Sequence, residues 1–133
     1  MAFLVASKKT QIAIYDFASD PSGGAVGTVD LLVYVPPGSV ITRCYNITYV
    51  APTSGGAAVI GAVIANAAIA APLVAPQAPG AYVLGQAAEG VDFNANPYLL
   101  PPLATLSIQM TIGVAPLTAG KIAFAVEYTE IAA

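Results

Sequence analysis

The chain has no histidine and no tryptophan, one cysteine, and eleven charged side chains in 133 residues. Each scarcity removes a class of function. Without imidazole there is no histidine base or ligand, which excludes catalytic triads and most metal sites. Four Lys and Arg residues cannot line a phosphate-binding groove, so direct nucleic-acid binding is excluded. A lone Cys44 cannot build a disulfide framework. The acids Asp16, Asp20, Asp30, Glu89, Asp92, Glu127 and Glu130 are scattered. Glu127 and Glu130 are three apart and face opposite sides of a strand, whereas acid–base chemistry needs a pair held within reach. No enzyme, cofactor or metal is expected.

Hydrophobic residues make up 57 % of the chain and charged residues 8 %, about a third of the usual charged share. The composition is diluted by 27 Ala, 12 Gly and 11 Pro. Disorder requires the reverse balance. A soluble monomer carries more charge than this, so either partner subunits cover much of the surface or the chain lies in a membrane.

The membrane reading is weak in detail. The start MAFLVASKK places its lysines after the apolar residues, unlike a secretory signal. Residues 57–75, AAVIGAVIANAAIAAPLVA, approach the length of a spanning helix. Nine of those residues are Ala, however, Asn66 and Pro72 interrupt the run, and no basic cluster or aromatic belt brackets it. A pair of Ala-rich strands with a loop fits better, and no membrane partner is expected.

Elsewhere the period is two. In TLSIQMTI (residues 105–112), Leu106, Ile108, Met110 and Ile112 share a face. After GVAPLTAG, Ile122, Phe124, Val126 and Tyr128 point inward, opposite Lys121, Ala123, Ala125, Glu127 and Thr129. Residues 28–35 alternate too, with Val29, Leu31, Val33 and Val35 inward, and Pro36-Pro37-Gly38 ends that strand. Residues 40–50 are β-branched and aromatic. Simple alternation there puts Ile41, Arg43, Tyr45, Ile47 and Tyr49 on one face and Cys44, Asn46 and Thr48 on the other. Strands are also expected at residues 11–17 and 58–64, with a short one at 81–84. Residues 52–56 and 20–24 read as turns. These six to eight strands, with no amphipathic helix, predict an all-β antiparallel sandwich or a small barrel. The chain reads as a single domain, 1–133, with a short N-terminal arm (1–9) and a Pro/Ala-rich loop region (about 66–102).

Cys44 lacks a neighbouring base and reads as a small buried hydrophobe. Asn46-Ile47-Thr48 matches a glycosylation triplet, but without a secretion signal these are ordinary sheet residues. Lys8 and Lys9 read as a solvated pair. The seven Tyr residues combine apolar area with a polar tip and suit subunit contacts. The candidate interface residues are Phe3, Leu4, Tyr34, Arg43, Tyr45, Tyr49, Tyr82 and Tyr98. Phe3 and Leu4 belong to the arm, which packs on its own sheet or inserts into a neighbour.

Three stretches, GTVDLLVYVPPGSVITRCYNITYVAPTSGG (27–56), AAVIGAVIANAAIAA (57–71) and TLSIQMTIGVAPLTAGKIAFAVEYTE (105–130), resemble short structural proteins of tailed double-stranded DNA bacteriophages. The resemblance rests on a DLxVxxPxGxxIT turn and a closing LTAGKxxxxVEY strand pair. It implies the head decoration, cement or head-fibre base class, with a jelly-roll-like sandwich, a homotrimer, and the major capsid protein as partner. It places a turn at Pro36, Pro37 and Gly38 and a terminal hairpin turn at Leu117, Thr118, Ala119, Gly120 and Lys121. The implied location is the outer surface of the virion capsid, with the host cytoplasm during assembly. The proline-laden residues 72–102 depart from the pattern. Rival readings are a neck, baseplate or fibre-attachment protein and a glycan-binding adhesin module.

Overall fold

The structure, a computed structural model, describes residues 5–93, 95, 97–101 and 104–132; for 5–7, 131 and 132 only the backbone is described. Nine strands are present among them: β1 (Val5–Asp16), β2 (Gly27–Val35), β3 (Val40–Ser54), β4 (Val59–Ala65), β5 (Ala70–Gln77), β6 (Ala87–Glu89), β7 (Tyr98–Leu99), β8 (Leu106–Gly113) and β9 (Leu117–Ala132). One sheet runs β1-β9-β3-β6, with β7 also pairing β3, and the other runs β2-β8-β4-β5. Every pairing is antiparallel. The pairs nest, β1 with β9, β2 with β8, β3 with β6 and β4 with β5, as in one long hairpin wrapped around a core. That wrapping is a jelly roll.

Alternation explains the core. Tyr15, Ile41, Ile122, Phe124 and Val126 of the first sheet meet Ile60, Ile64, Leu73, Leu106, Ile108 and Met110 of the second, all almost wholly buried. Residues 57–75 form neither a helix nor a span. They fold as the β4–β5 hairpin, whose turn is organised by Asn66: its Oδ1 accepts from the backbone of Ala68 and Ile69, each at 2.8 Å. Among the described residues no helix is long and apolar enough to cross a membrane.

Three sequence expectations are corrected. Residues 81–84 are not a strand: a 3-10 turn covers Pro79–Ala81, and strands form instead at β5, β6 and β7. β5 tolerates Pro72 and Pro76 because it is an edge strand, where a missing donor need not break a ladder. Residues 117–121 are not a hairpin turn but the start of β9, which pairs Leu117 with Ser54 and Ala119 with Thr53. The chain turns at 114–116 instead, and Gly120 (φ 142°) lies within β9 where its register against β3 is irregular. In β3, Thr42 is an extra residue between the pairs Ile41–Tyr128 and Arg43–Glu127. This bulge reverses the alternation. Ile41, Cys44, Asn46 and Thr48 point inward, and Arg43, Tyr45, Ile47 and Tyr49 point outward.

Candidate interaction surface

The outer face of the five-stranded sheet is built from rows that cross its strands. One row places Ile12 of β1 beside Ala125 of β9 and Tyr45 of β3; the next places Ile14 beside Ala123 and Ile47. Ile12 and Ile14 are each 53 % exposed, and Tyr49 is 52 % exposed. Ala123 and Ala125 form a floor between the larger side chains and are themselves covered by them. The result is a shallow trough along β9, walled by isoleucines on one side and by Tyr45 and Ile47 on the other. On β3 the outward row is more apolar than the inward row of Cys44, Asn46 and Thr48. The inward Thr48 hydroxyl is buried without a hydrogen-bond partner among the described residues. With Ile12, Ile14 and Tyr49 half exposed beside the trough, this outer face carries an apolar patch of the kind that partners cover.

Charges sit only at the ends of this trough. At one end Arg43 donates from Nε to Glu89 Oε1 (2.9 Å) and from Nη1 to Glu127 Oε2 (3.3 Å). Lys8 Nζ lies 3.8 Å from the other Glu127 oxygen. The Arg43 guanidinium also lies over the Tyr45 ring, 4.6 Å from its centre, a cation–π contact. The Glu89 hydrogen bond, and then Glu127, raise the Arg43 pKa further, beyond an already high value. At the other end Asp16 and Lys121 are direct partners across the β1–β9 ladder. Beside the Arg43 cluster lies an open cleft of about 380 Å³ floored by Thr42 and by residues 89–93.

The other outer face is different. There Gln109 and Thr111 of the central strand β8 are half-buried, and Gln109 Nε2 donates to the buried Ser107 Oγ at 3.0 Å.

The structure brings Arg43, Tyr45 and Tyr49 together on the apolar face. Tyr34, 47 % exposed, lies on β2 of the opposite sheet, and Tyr98 is half-buried in β7. Tyr82 is an internal residue: it is buried, and its hydroxyl donates to the Ile60 carbonyl at 2.7 Å. Burial drives its pKa upward. Phe3 and Leu4 lie outside the described residues. Lys8 and Lys9 are both in ion pairs, Lys9 with Glu130 at 2.7 Å; that hydrogen bond raises the Lys9 pKa. Sequence reasoning missed Ile12, Ile14 and Ile47 as surface residues. The signal was present for the first two, since QIAIYDF alternates isoleucines with Ala13 and Tyr15, and both sets cannot face the core.

Among the described residues, no group of three or more Cys, Asp or Glu side chains is arranged to hold a metal ion. No protein-family model matches the sequence, and no curated protein matches it. The fold is similar to that of a chain in the acidic stable capsid structure of Helicobacter pylori bacteriophage KHP30. That likeness has a TM-score of 0.60 and 12 % sequence identity, and covers 98 % of this chain and 95 % of that one.

Proposed function

We propose that this chain is a non-enzymatic structural protein of a bacteriophage virion, which decorates the head and stabilises it by self-association and by bridging major capsid subunits. The observation that carries the reading is the near full-length likeness of its jelly roll to a chain of a phage capsid structure. The apolar outer face supports it, because a surface with this little charge calls for neighbours. In a homotrimer closed about a symmetry axis, each subunit would bury one surface against a second, different surface of its neighbour, the same pair three times over. In that arrangement the free energy of each contact opposes separation of the capsid subunits under the outward pressure of packaged DNA. The protein would then reside on the capsid exterior, and in host cytoplasm only during assembly.

The test is its place in particles. In lysates of cells producing the phage that encodes it, the protein should band with DNA-filled heads in a density gradient. Antibodies against it should label their outer surface in electron micrographs. Its absence from washed particles overturns the reading.

A further inference from the structure

We propose that the open edge of β1 is a strand-pairing site whose occupant is β1 of a second copy, antiparallel and centred on Ile12, so that two sandwiches share one continuous sheet. The inference rests on the reading above only where that reading calls for self-association. The contact it names is twofold, and so stands beside a threefold one rather than replacing it.

An edge strand presents a row of unpaired backbone N–H and C=O groups, and folded proteins ordinarily blunt such a row. Of the four sheet edges among the described residues, three are blunted. β2 carries the bulge between Asp30 and Tyr34, and β5 carries Pro72 and Pro76. The edge beyond β3 is formed only by β6, of three residues, and β7, of two. β1 is the exception. It runs twelve residues without proline or glycine, in unbroken register with β9. Among the described residues no backbone group bonds to its other side. Lysine is the remaining means of blunting an edge, and here Lys8 and Lys9 stand together near one end, each in an ion pair.

The side-chain pattern of β1 selects the occupant. Its outward row reads Lys8, Thr10, Ile12, Ile14, Asp16, with a cation at one end, an anion at the other and two half-exposed isoleucines between. In an antiparallel pair centred on Ile12, Lys8 stands opposite Asp16 of the copy, and Asp16 opposite its Lys8. Ile12 meets Ile12, and each Ile14 meets a Thr10. Opposite charges and β-branched pairs directly across a ladder both stabilise it. Centring on Gln11 would set Lys8 against Ile14 and Asp16 against Ala6. Centring on Ala13 would set Lys8 against Ala18 and Asp16 against Thr10. The register on Ile12 thus makes β1 its own complement at both ends.

Both charges are available for the contact. The Lys8 side chain is 67 % exposed and is held by a 3.8 Å pair with Glu127. Asp16 accepts from the Ala18 N–H through Oδ1 at 3.0 Å, which leaves Oδ2 for Lys8 of the copy. The net charge of -3 opposes self-association at long range, but physiological salt screens charges more than about 8 Å apart, whereas the paired ends touch.

The experiment measures mass in solution for the full chain and for charge variants. The wild type should sediment as an even-numbered oligomer at about 100 μM. In hydrogen exchange, the β1 amides that point away from β9 should be protected at that concentration and lose the protection on dilution. Lys8→Glu and Asp16→Lys should each associate at least about tenfold more weakly, because each sets like charges opposite one another at both ends. Mixed in equal amounts, the two variants should associate again. The introduced acid then faces the introduced lysine, and the remaining Asp16 faces the remaining Lys8. Circular dichroism checks that each variant keeps its sheet. Where a charge variant misfolds, Ile12→Lys gives an independent weakening by setting two lysines against each other at the twofold. Val26→Lys, equally exposed but off β1, should leave the oligomer intact.

A wild type that is monomeric or trimeric at this concentration overturns the inference, as does association indifferent to the β1 substitutions. Folded variants that stay apart when mixed overturn it too. Protection of the β1 edge that appears only on phage heads also overturns it, and assigns the edge to a strand of another protein. Protein found on heads with β1 unpaired sinks only this inference. Protein paired through β1 but absent from heads sinks only the virion reading.

Discussion

The Cys44 thiol donates to the carbonyl of Leu73, 2.9 Å away, so a side chain of one sheet is tied directly to the edge strand of the other. The loop after β6 repeats the tie through its backbone: Gly90 N–H donates to Cys44 O at 3.0 Å and Val91 N–H to Leu73 O at 2.8 Å. This closes the side of the sandwich where β3 and β5 would otherwise gape.

Burial pushes the Cys44 thiol up to about 11, so at pH 8 it is protonated as well as covered. Native protein should stay unmodified by iodoacetamide over a period in which urea-unfolded protein reacts completely, as read by intact mass. Rapid native labelling would show that residues 90–93 open readily.

Gly90→Ala should be severe. A methyl group there would overlap the Leu73 carbonyl oxygen and lie 2.5 Å from Cys44 Sγ, and neither belongs to a flexible side-chain tip. Displacing the loop costs about 2–3 kcal/mol, measurable as a lower urea midpoint. The matching change at Gly80, where an added Cβ meets nothing within 4 Å, should be nearly silent.

Asp20 organises the turn after β1. Its carboxylate accepts from the Tyr15 hydroxyl (2.8 Å), the Ser22 N–H and hydroxyl (2.9 and 2.7 Å) and the Gly24 N–H (3.0 Å). Burial alone raises its pKa, but these hydrogen bonds outweigh burial and hold it below its ordinary value of 3.8. A depressed folded-state pKa contributes stability above pH 4, and that stability is lost as pH falls through the folded value. Asp20→Asn should cost about 1 kcal/mol at pH 7, toward the low end for a charged hydrogen-bonded group that is partly in water. The difference between wild type and variant should shrink in melts below pH 4.

Leu32 is 68 % exposed at φ 59°, a left-handed backbone that disfavours branched side chains. It is held there by the Asp30 carboxylate, which accepts from Leu32 N–H at 2.9 Å. Leu32→Asn, a residue that tolerates this conformation, should raise the melting point by the equivalent of about 0.5–1 kcal/mol. A loss of stability would mean that the leucine is packed in solution, against a partner or its own sheet.

Sequence alternation revealed β8 and β9 because their inward residues are large and their outward residues small or polar, and β2 through its valines, although Leu32 and Tyr34 stand on its outer face. It succeeded in β2 despite a bulge, since two extra residues between Asp30 and Tyr34 preserve the parity of side chains. In β3 the single extra residue, Thr42, inverts the parity. Nothing local marks that position, so simple alternation groups Tyr45 and Ile47 with the inward Ile41. The edge strands β5 and β6 were hidden for another reason. Proline and alanine are poor strand signals, and those segments take strand form from their partners, β4 and β3. Arg43, Tyr45 and Tyr49 could be named as contact residues from sequence, but the trough they border needs Ile12 and Ile14 from a strand about thirty residues away.

The nested pairing also fixes when this protein can fold. β9 lies between β1 and β3 and is hydrogen-bonded to both, yet of the nine strands it is the last to be synthesised. At about 5–20 residues per second, β1 waits on the order of ten seconds for its partner. During that interval the edges of β1 and β3 that β9 pairs are open, and neighbouring nascent chains on one messenger carry the same strand. Crowded translation therefore favours exchange of β9 between chains, and slower initiation should raise the yield of correctly closed protein.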